Sequence, residues 1–335
     1  MKIIIDAMGG DNAPLAPLEG AALAVRELDV QVTAVGDKEK MAVAIRQGEI
    51  PMEGIELVHA SEVIGMEEEA TDILKKKPDS SLAVACKLLA EGKGDALVSA
   101  GSTGALLVGG TLIVGRIKGI KRPAIGTVLP SLEKPWLLID CGANAESRAE
   151  MLVQFAFMGA AYQEKVMGVQ NPSVALANNG TEETKGTALQ LEAFPMLQKS
   201  GLNFIGNIEG RDIPMAVADV VVCDGFTGNI ILKLTEGVAK LFSAMIKQMF
   251  YKNTKTKLAG AVMKDDLDEF KKSFDYKEYG GAPLLGIKSP VIKAHGSSDA
   301  LAIKNAVRQA KRCVENDVSK AIESYLAAQK EKEKK

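Results

Sequence analysis

Three side chains in this sequence combine a reactive type with a setting suited to anion chemistry. His295 lies in Ile292-Lys293-Ala294-His295-Gly296-Ser297-Ser298-Asp299, after a strand-like run and before a glycine-bearing loop. An imidazole there titrates near neutrality and can move a proton. Lys185 completes Asn178-Asn179-Gly180-Thr181-Glu182-Glu183-Thr184-Lys185-Gly186. A cation at a helix start opposes the dipole, so its position points to an anionic ligand, with a solvated surface lysine as the alternative. Asn229 closes Asp224-Gly225-Phe226-Thr227-Gly228-Asn229 at the mouth of a long helical pattern. Its amide and the neighbouring N–H groups can hold phosphate or a developing oxyanion, or act as an ordinary cap. His59 has no comparable glycine-rich context and reads as structural.

A nucleophile is a separate question. Ala100-Gly101-Ser102-Thr103-Gly104 nearly forms the GxSxG elbow, which would make Ser102 an acyl-enzyme nucleophile with His295 as its base. Ala100 replaces the first glycine, and a serine before a helix is more often an N-cap. Neither GxxxxGK[ST] nor GxGxxG occurs, which argues against nucleotide and dinucleotide chemistry. His59 and His295 do not form HExxH. Asp6, Asp11, Asp140 and Asp224 could gather a hard cation, but the expectation is no metal and no cofactor.

The elements that carry these groups repeat. Six apolar runs, ending near Ile5, Ser99, Ile139, Ala177, Val222 and Lys293, each enter a small, polar, glycine-bearing loop and then a helical pattern. Buried parallel strands read as continuous apolar runs, and open α/β sheets bind ligands beyond the carboxyl ends of their strands. The expectation is a three-layer α/β/α, Rossmann-like fold with a mostly parallel sheet and all six loops on one rim. Glycine allows close backbone approach, and helix starts attract anions. The candidate phosphate-binding residues are Asp6, Gly9, Gly10, Ser102, Thr103, Asn144, Gly180, Thr181, Asp224, Gly228, Ser297 and Asp299.

Periodicity predicts helices over Ala13 to Leu28, Ser80 to Glu91 with Asp79 as N-cap, Thr103 to Ile117, Ala145 to Val166, Thr184 to Lys199 and Ser297 to Gln329. Further strands are expected at Val30 to Val35, Ile55 to Val58 and Asn203 to Ile205. A helical hairpin over 228–275 interrupts the alternation. It presents Leu258, Val262 and Met263 among Lys252, Lys255, Lys257 and Lys264, either for packing within a dimer or for an amphipathic membrane contact. Residues 1–330 read as one large domain and the charged 331–335 as a disordered tail.

Composition narrows the function classes. The 335 residues are 47% hydrophobic and 25% charged, ordinary values for a globular chain with a sizeable core. A net charge of −2 and 4% aromatic residues give neither the field nor the stacking platforms for nucleic acid. Cys86, Cys141, Cys223 and Cys313 form no CxxC, and no signal peptide is read, so a reducing cytoplasm is expected. No apolar stretch approaches the roughly 20 residues that span a bilayer.

In this order, Asp6 to Asp11, Ser99 to Ala105, Asp140 to Asn144, Asn179 to Gly186, Gly206 to Asp212, Asp224 to Asn229, Gly280 to Gly286 and Lys293 to Asp299 closely resemble the bacterial phosphate acyltransferase family PlsX. The match covers nearly the whole chain. The family typically has Asn at Ser102 and an aliphatic residue at Asn179. The resemblance implies a fold related to phosphotransacetylases and isopropylmalate-type dehydrogenases, a homodimer, and transfer of an acyl group from acyl-carrier protein to inorganic phosphate. It further implies a hairpin that rests on the membrane, and for this reaction the residues read as Lys185 binding phosphate, Asn229 and neighbouring N–H groups binding phosphate or the oxyanion, and His295 handling a proton or orienting the nucleophile. Acidic carrier protein requires a local basic patch, for which Arg116, Lys118, Lys121 and Arg122, or Lys75-Lys76-Lys77, are candidates. A serine acyl hydrolase and a non-catalytic acyl- or phosphate-binding scaffold are the alternative functions.

Overall fold

Short apolar segments align side by side into a sheet because each buries both faces while its neighbours satisfy its backbone groups. The computed structural model describes residues 1–267 and 280–333. Its strands are β1 (Lys2–Asp6), β2 (Gln31–Gly36), β3 (Ile55–His59), β4 (Ala96–Ser99), β5 (Ala124–Leu129), β6 (Trp136–Ile139), β7 (Ser173–Asn178), β8 (Asn203–Glu209), β9 (Val220–Val222), β10 (Ala282–Leu285) and β11 (Val291–Lys293). They form one sheet in the order β3-β2-β1-β4-β11-β10-β5-β6-β9-β7-β8.

Helices α1 (Leu15–Leu28), α2 (Lys38–Gln47), α3 (Asp72–Lys75), α4 (Ser81–Ala90), α5 (Thr103–Gly109), α6 (Ala149–Lys165), α7 (Ala188–Lys199), α8 (Gly225–Phe250), α9 (Thr254–Val262), α10 (Ala300–Glu315) and α11 (Val318–Glu333) complete the described chain. Side chains alternate across each strand, and the core divides accordingly. Ile3 and Ile5 pack in one cluster with Ala21 of α1, Phe155 of α6 and Ile303 of α10. Ile4 and Leu97 pack in the other with Leu82 and Cys86 of α4 and Leu106 of α5. Each such large aliphatic or aromatic side chain contributes about 1.5–3 kcal/mol by leaving water.

Strand direction corrects the one-rim expectation. β1, β2, β3, β4 and β11 are mutually parallel, while β10 is antiparallel to both β11 and β5. β5 is antiparallel to β6, and β6, β9, β7 and β8 are parallel to one another. The sheet therefore has two parallel halves of opposite sense. Loops after β1, β4 and β11 leave one edge, and loops after β6, β7 and β9 leave the other. The strands that impose this reversal, β5 and β10, are the two that fall neither among the six apolar runs nor among the further expected strands.

Helix boundaries shift for local reasons. Ser80 rather than Asp79 caps α4, since Ser80 Oγ accepts from the Ala83 N–H at 3.4 Å while Asp79 accepts from the Ser61 N–H at 3.0 Å. The helix expected from Thr184 begins at Ala188, behind a Thr187/Gln190 capping box. That expected from Ala145 begins at Ala149. After Gly109 the predicted 103–117 helix widens into a π-helical turn over Gly110–Gly115. The long C-terminal helix is broken where Asp317 takes a left-handed φ of 48°, and α11 continues to Glu333, into the segment expected to fray. α8 and α9 form the first part of the helical hairpin, and its remainder from 268 to 275 lies outside the described residues.

Candidate functional site

At the edge of the first half, three loops interlock through glycine. Asp6 ends β1 fully buried, where its carboxylate accepts from Ser99 Oγ at 2.7 Å and from the Met8 N–H at 3.3 Å. Burial raises its pKa, opposed by hydrogen bonds to the carboxylate and the charge of Lys293. A Cβ at Gly9 would lie 2.6 Å from Asp6 Oδ2 and 2.7 Å from the Gly101 nitrogen. Gly10, with φ of +98°, brings the chain against Ala100 and Gly296, and the next residue, Asp11, donates its N–H to Gly296 O at 2.8 Å. These glycines hold the β1, β4 and β11 loops together rather than leaving an open phosphate cradle.

Lys293 ends β11 among them. Its Nζ donates to Ala100 O at 3.2 Å and to Ala294 O. Burial lowers its pKa to about 8 against the opposing charges of Asp6 and Asp11. His295, two residues on, is exposed on the rim. The Ser297 N–H donates to His295 Nδ1 at 3.2 Å, and Ser297 Oγ lies 2.9 Å from the same nitrogen. Nδ1 is thus the acceptor, and Nε2 carries the proton of the neutral ring. Burial first, then the positive charge of Lys233, depresses the His295 pKa.

The second half is organised by Asp140. Its carboxylate accepts from the N–H groups of Ile125 and Ala143, each at 3.0 Å, and from the Asn144 N–H at 2.7 Å and Nδ2 at 2.9 Å. Asn144 Nδ2 also reaches Pro123 O at 2.8 Å. This loop seats the start of α8, for a Cβ on Gly225 would lie 2.6 Å from Asn144 O and one on Gly228 only 1.8 Å from Asp140 O. Asp224 caps α8 by accepting from the Thr227 N–H at 2.9 Å. Gly142, with φ of +123°, lies against Asn229 of the first helical turn.

The two edges meet across a cavity of about 550 Å³. Asp11, Thr103, Lys293, His295 and Gly296 line it from the first half, and Cys141, Gly142, Gly225 and Asn229 from the second. α8, 26 residues long, adds Lys233 and Glu236 to the same cavity. Ile125, Val128, Ala282, Phe226 and Leu232 give an apolar wall. Two lysines and a histidine thus adjoin a surface suited to a hydrocarbon chain.

Several other expected residues lie elsewhere. Ser102 caps α5, accepting from the Ala105 N–H at 3.5 Å, while its neighbour Thr103 lines the cavity. Asp299 caps α10 through the Ala302 N–H at 2.9 Å. Lys185, Gly180 and Thr181 belong to the loop after β7, which is not part of the cavity lining. Lys185 is exposed, its stem folds over Gly180, and it precedes the Thr187 cap rather than occupying the first turn of α7. The dipole argument is correspondingly weaker. Lys293 and Lys233 escaped sequence reasoning. The available signal was a lysine closing the otherwise apolar run Pro290-Val291-Ile292-Lys293, where burial demands a partner.

Cys141 is reached by the cavity, yet burial pushes its thiol up to about 12, so it offers no thiolate near neutrality. Among the described residues no group of three His, Cys, Asp or Glu side chains is arranged to hold a metal ion.

Residues 1–321 match the family described as "Fatty acid synthesis protein". The chain is 48% identical over 328 residues to the phosphate acyltransferase of Alkaliphilus oremlandii, covering 98% of each protein. With that of Clostridioides difficile the identity is 47% over 335 residues, covering 100% of this chain and 98% of the other. The chain belongs to this family. Solved structures with the same fold include the EutD phosphotransacetylase of Staphylococcus aureus, with a TM-score of 0.61 and 16% identity over 93% of this chain and 94% of that one. A phosphotransacetylase from Streptococcus pyogenes gives 0.61 and 18% over 96% and 94%. At these identities the structural likeness carries the fold, and family membership rests on the sequence relatives.

Proposed function

We propose that this family member transfers a fatty acyl group from acyl-carrier-protein thioester to inorganic phosphate, giving an acyl phosphate for phospholipid synthesis. The observation that carries this reading is the cavity in which Lys293, Lys233 and His295 adjoin the apolar wall of Ile125, Val128 and Leu232. A phosphate oxygen attacks the thioester carbonyl, the C–S bond breaks, and the phosphate proton passes to the departing sulfur. Phosphate is its own nucleophile, so the protein supplies position and charge. His295 Nε2–H and Asn229 are suited to the anion or the tetrahedral oxyanion. Ser102, engaged as a helix cap, is poorly suited to the hydrolase alternative.

The purified protein with acyl-carrier protein is expected to form acyl phosphate only when phosphate is present, without nucleotide. Acyl release independent of phosphate concentration would favour a hydrolase, and ligand binding without turnover a scaffold.

The continuous sheet supports treating residues 1–330 as one domain. α8 carries exposed Ile230, Leu234, Val238, Leu241, Met245 and Met249 at helical spacing, which supports a homodimer through this face. For the carrier protein, the Arg116, Lys118 and Arg122 patch is favoured. Lys121 is paired with Glu150, Lys76 with Asp72 at 3.1 Å and Lys77 with Glu68 at 2.6 Å.

No helix among the described residues is long and apolar enough to cross a membrane. A cytoplasmic protein with reversible peripheral contact, handing its product to a membrane acyltransferase, fits the exposed Leu258, Val262 and Met263 of the hairpin. Asp265 and Asp266 follow at once, so contact with anionic lipid should be weak. In liposome co-sedimentation the Leu258→Glu/Val262→Glu variant is expected to lose binding while retaining activity in solution. Equal sedimentation of both proteins would assign these side chains to packing alone.

A further inference from the structure

We propose that Lys293 is the residue of this chain that holds the phosphate in the cavity. The assignment rests on the phosphate acyltransferase reading and adds the residue that selects the nucleophile. Lys185, the lysine singled out by its loop, is exposed and its loop does not line the cavity, whereas Lys293 does line it. Position at the end of β11 gives Lys293 a rigid base, since Ile292 pairs in register with Val98 and Lys293 with Ser99. Two backbone carbonyls, Ala100 O and Ala294 O, take two of its ammonium hydrogens and orient the head. The charged amine has a third, and a phosphate oxygen is a fitting acceptor for it.

The surroundings explain why a half-buried ammonium is tolerated here. Asp6 on β1 supplies a negative charge, itself held by Ser99 Oγ at 2.7 Å, and Asp11 supplies another from the following loop. Lys233 on α8 opposes them. Among the described residues, His295 beside it, and Glu236 and Cys141 across the cavity, are the other titratable groups of the lining. Burial outweighs the two carboxylates, which leaves Lys293 with a pKa of about 8. It is therefore cationic below that pH and loses its charge above it. Bound phosphate stabilises the charged form, so binding above pH 8 draws a proton from solvent.

Phosphate titrations of wild type, Lys293→Met and Lys293→Arg by initial rate and by calorimetry test the assignment. Lys293→Met is expected to raise KM for phosphate at least 30-fold with KM for acyl-carrier protein unchanged, and to weaken phosphate binding equally in calorimetry. Wild type should show phosphate affinity falling above about pH 8, and Lys293→Arg should keep the affinity within several-fold while abolishing that alkaline decline. If the Met variant fails to fold, the Arg variant alone decides, because arginine does not titrate in this range. A wild-type phosphate KM in Lys293→Met, or an alkaline decline that persists in Lys293→Arg, overturns the proposal. Should wild type bind phosphate yet form no acyl phosphate, the enzymatic reading falls and the binding comparison still judges Lys293.

Discussion

Replacing His295 with alanine is expected to slow acyl phosphate formation by about 10²-fold or more while leaving the melting temperature within a degree or two of wild type. The ring stands on the rim, exposed, and its Nδ1 meets the N–H and Oγ of Ser297, two residues away. Its removal therefore deletes little buried surface. What it deletes is a neutral Nε2–H donor next to Lys293 and Lys233, and loss of one such positioned donor or proton carrier costs on the order of 10²–10³ in rate. Because Lys233 and partial burial lower its pKa, the neutral ring persists to more acidic pH than in a free histidine. Activity should fall on acidification only as the ring gains its proton. Ser102→Ala, which removes a helix cap, should lower stability by about 1 kcal/mol and leave most of the turnover. Steady-state kinetics and thermal melts on both variants separate the cases. Loss of activity in Ser102→Ala with full activity in His295→Ala would overturn this assignment of the site.

Gly228→Ala should produce the largest structural effect of any single methyl group added near the cavity. The new Cβ would lie 1.8 Å from Asp140 O and 2.9 Å from Cys223 Sγ, and the first of these is backbone. Relief requires α8 to lift from the Asp140 to Asn144 loop, against the bond from the Gly225 N–H to Asn144 O at 2.8 Å. Overpacking of this kind costs about 1–3 kcal/mol where side chains can yield, and the rigid partner here puts the expectation at the upper end. Urea denaturation would measure it. A loss below about 1 kcal/mol would mean that the helix start is seated more loosely than these contacts imply. Since Asn229 follows directly, activity should fall along with stability.

Much of this architecture was legible because buried parallel strands announce themselves. Ile3-Ile4-Ile5, Leu137-Leu138-Ile139 and Val220-Val221-Val222 are uninterrupted apolar runs, and each enters the loop that periodicity assigns to it. β5 and β10 hide for opposite reasons. β5 contains Gly126 and Thr127 within an alternating, weakly apolar stretch, and β10 is the four-residue Ala282-Pro283-Leu284-Leu285. Their pairing is a long-range property that no local pattern encodes, and it alone determines that the six loops leave opposite edges. At the cavity, His295 and Asn229 were visible through glycine-rich surroundings. Lys293 was not, because a lysine closing a strand looks like an exposed strand end until the carbonyls of Ala100 and Ala294 are seen around it.

The reversal of strand sense also bears on how this molecule can respond to its substrates. Lys293 and His295 belong to one half of the sheet, Asn229 and Gly142 to the other, and the two are stitched through short ladders. β10 meets β11 at Ala282 and Pro283, and meets β5 at Leu284 and Leu285. A few degrees of rotation about that stitching changes the gap between the two rims of the cavity while leaving each rim internally unchanged. Hinge and wall are thus one part, for Ala282 pairs with Lys293 and Leu284 with Ile125, and Ala282, Lys293 and Ile125 all line the cavity.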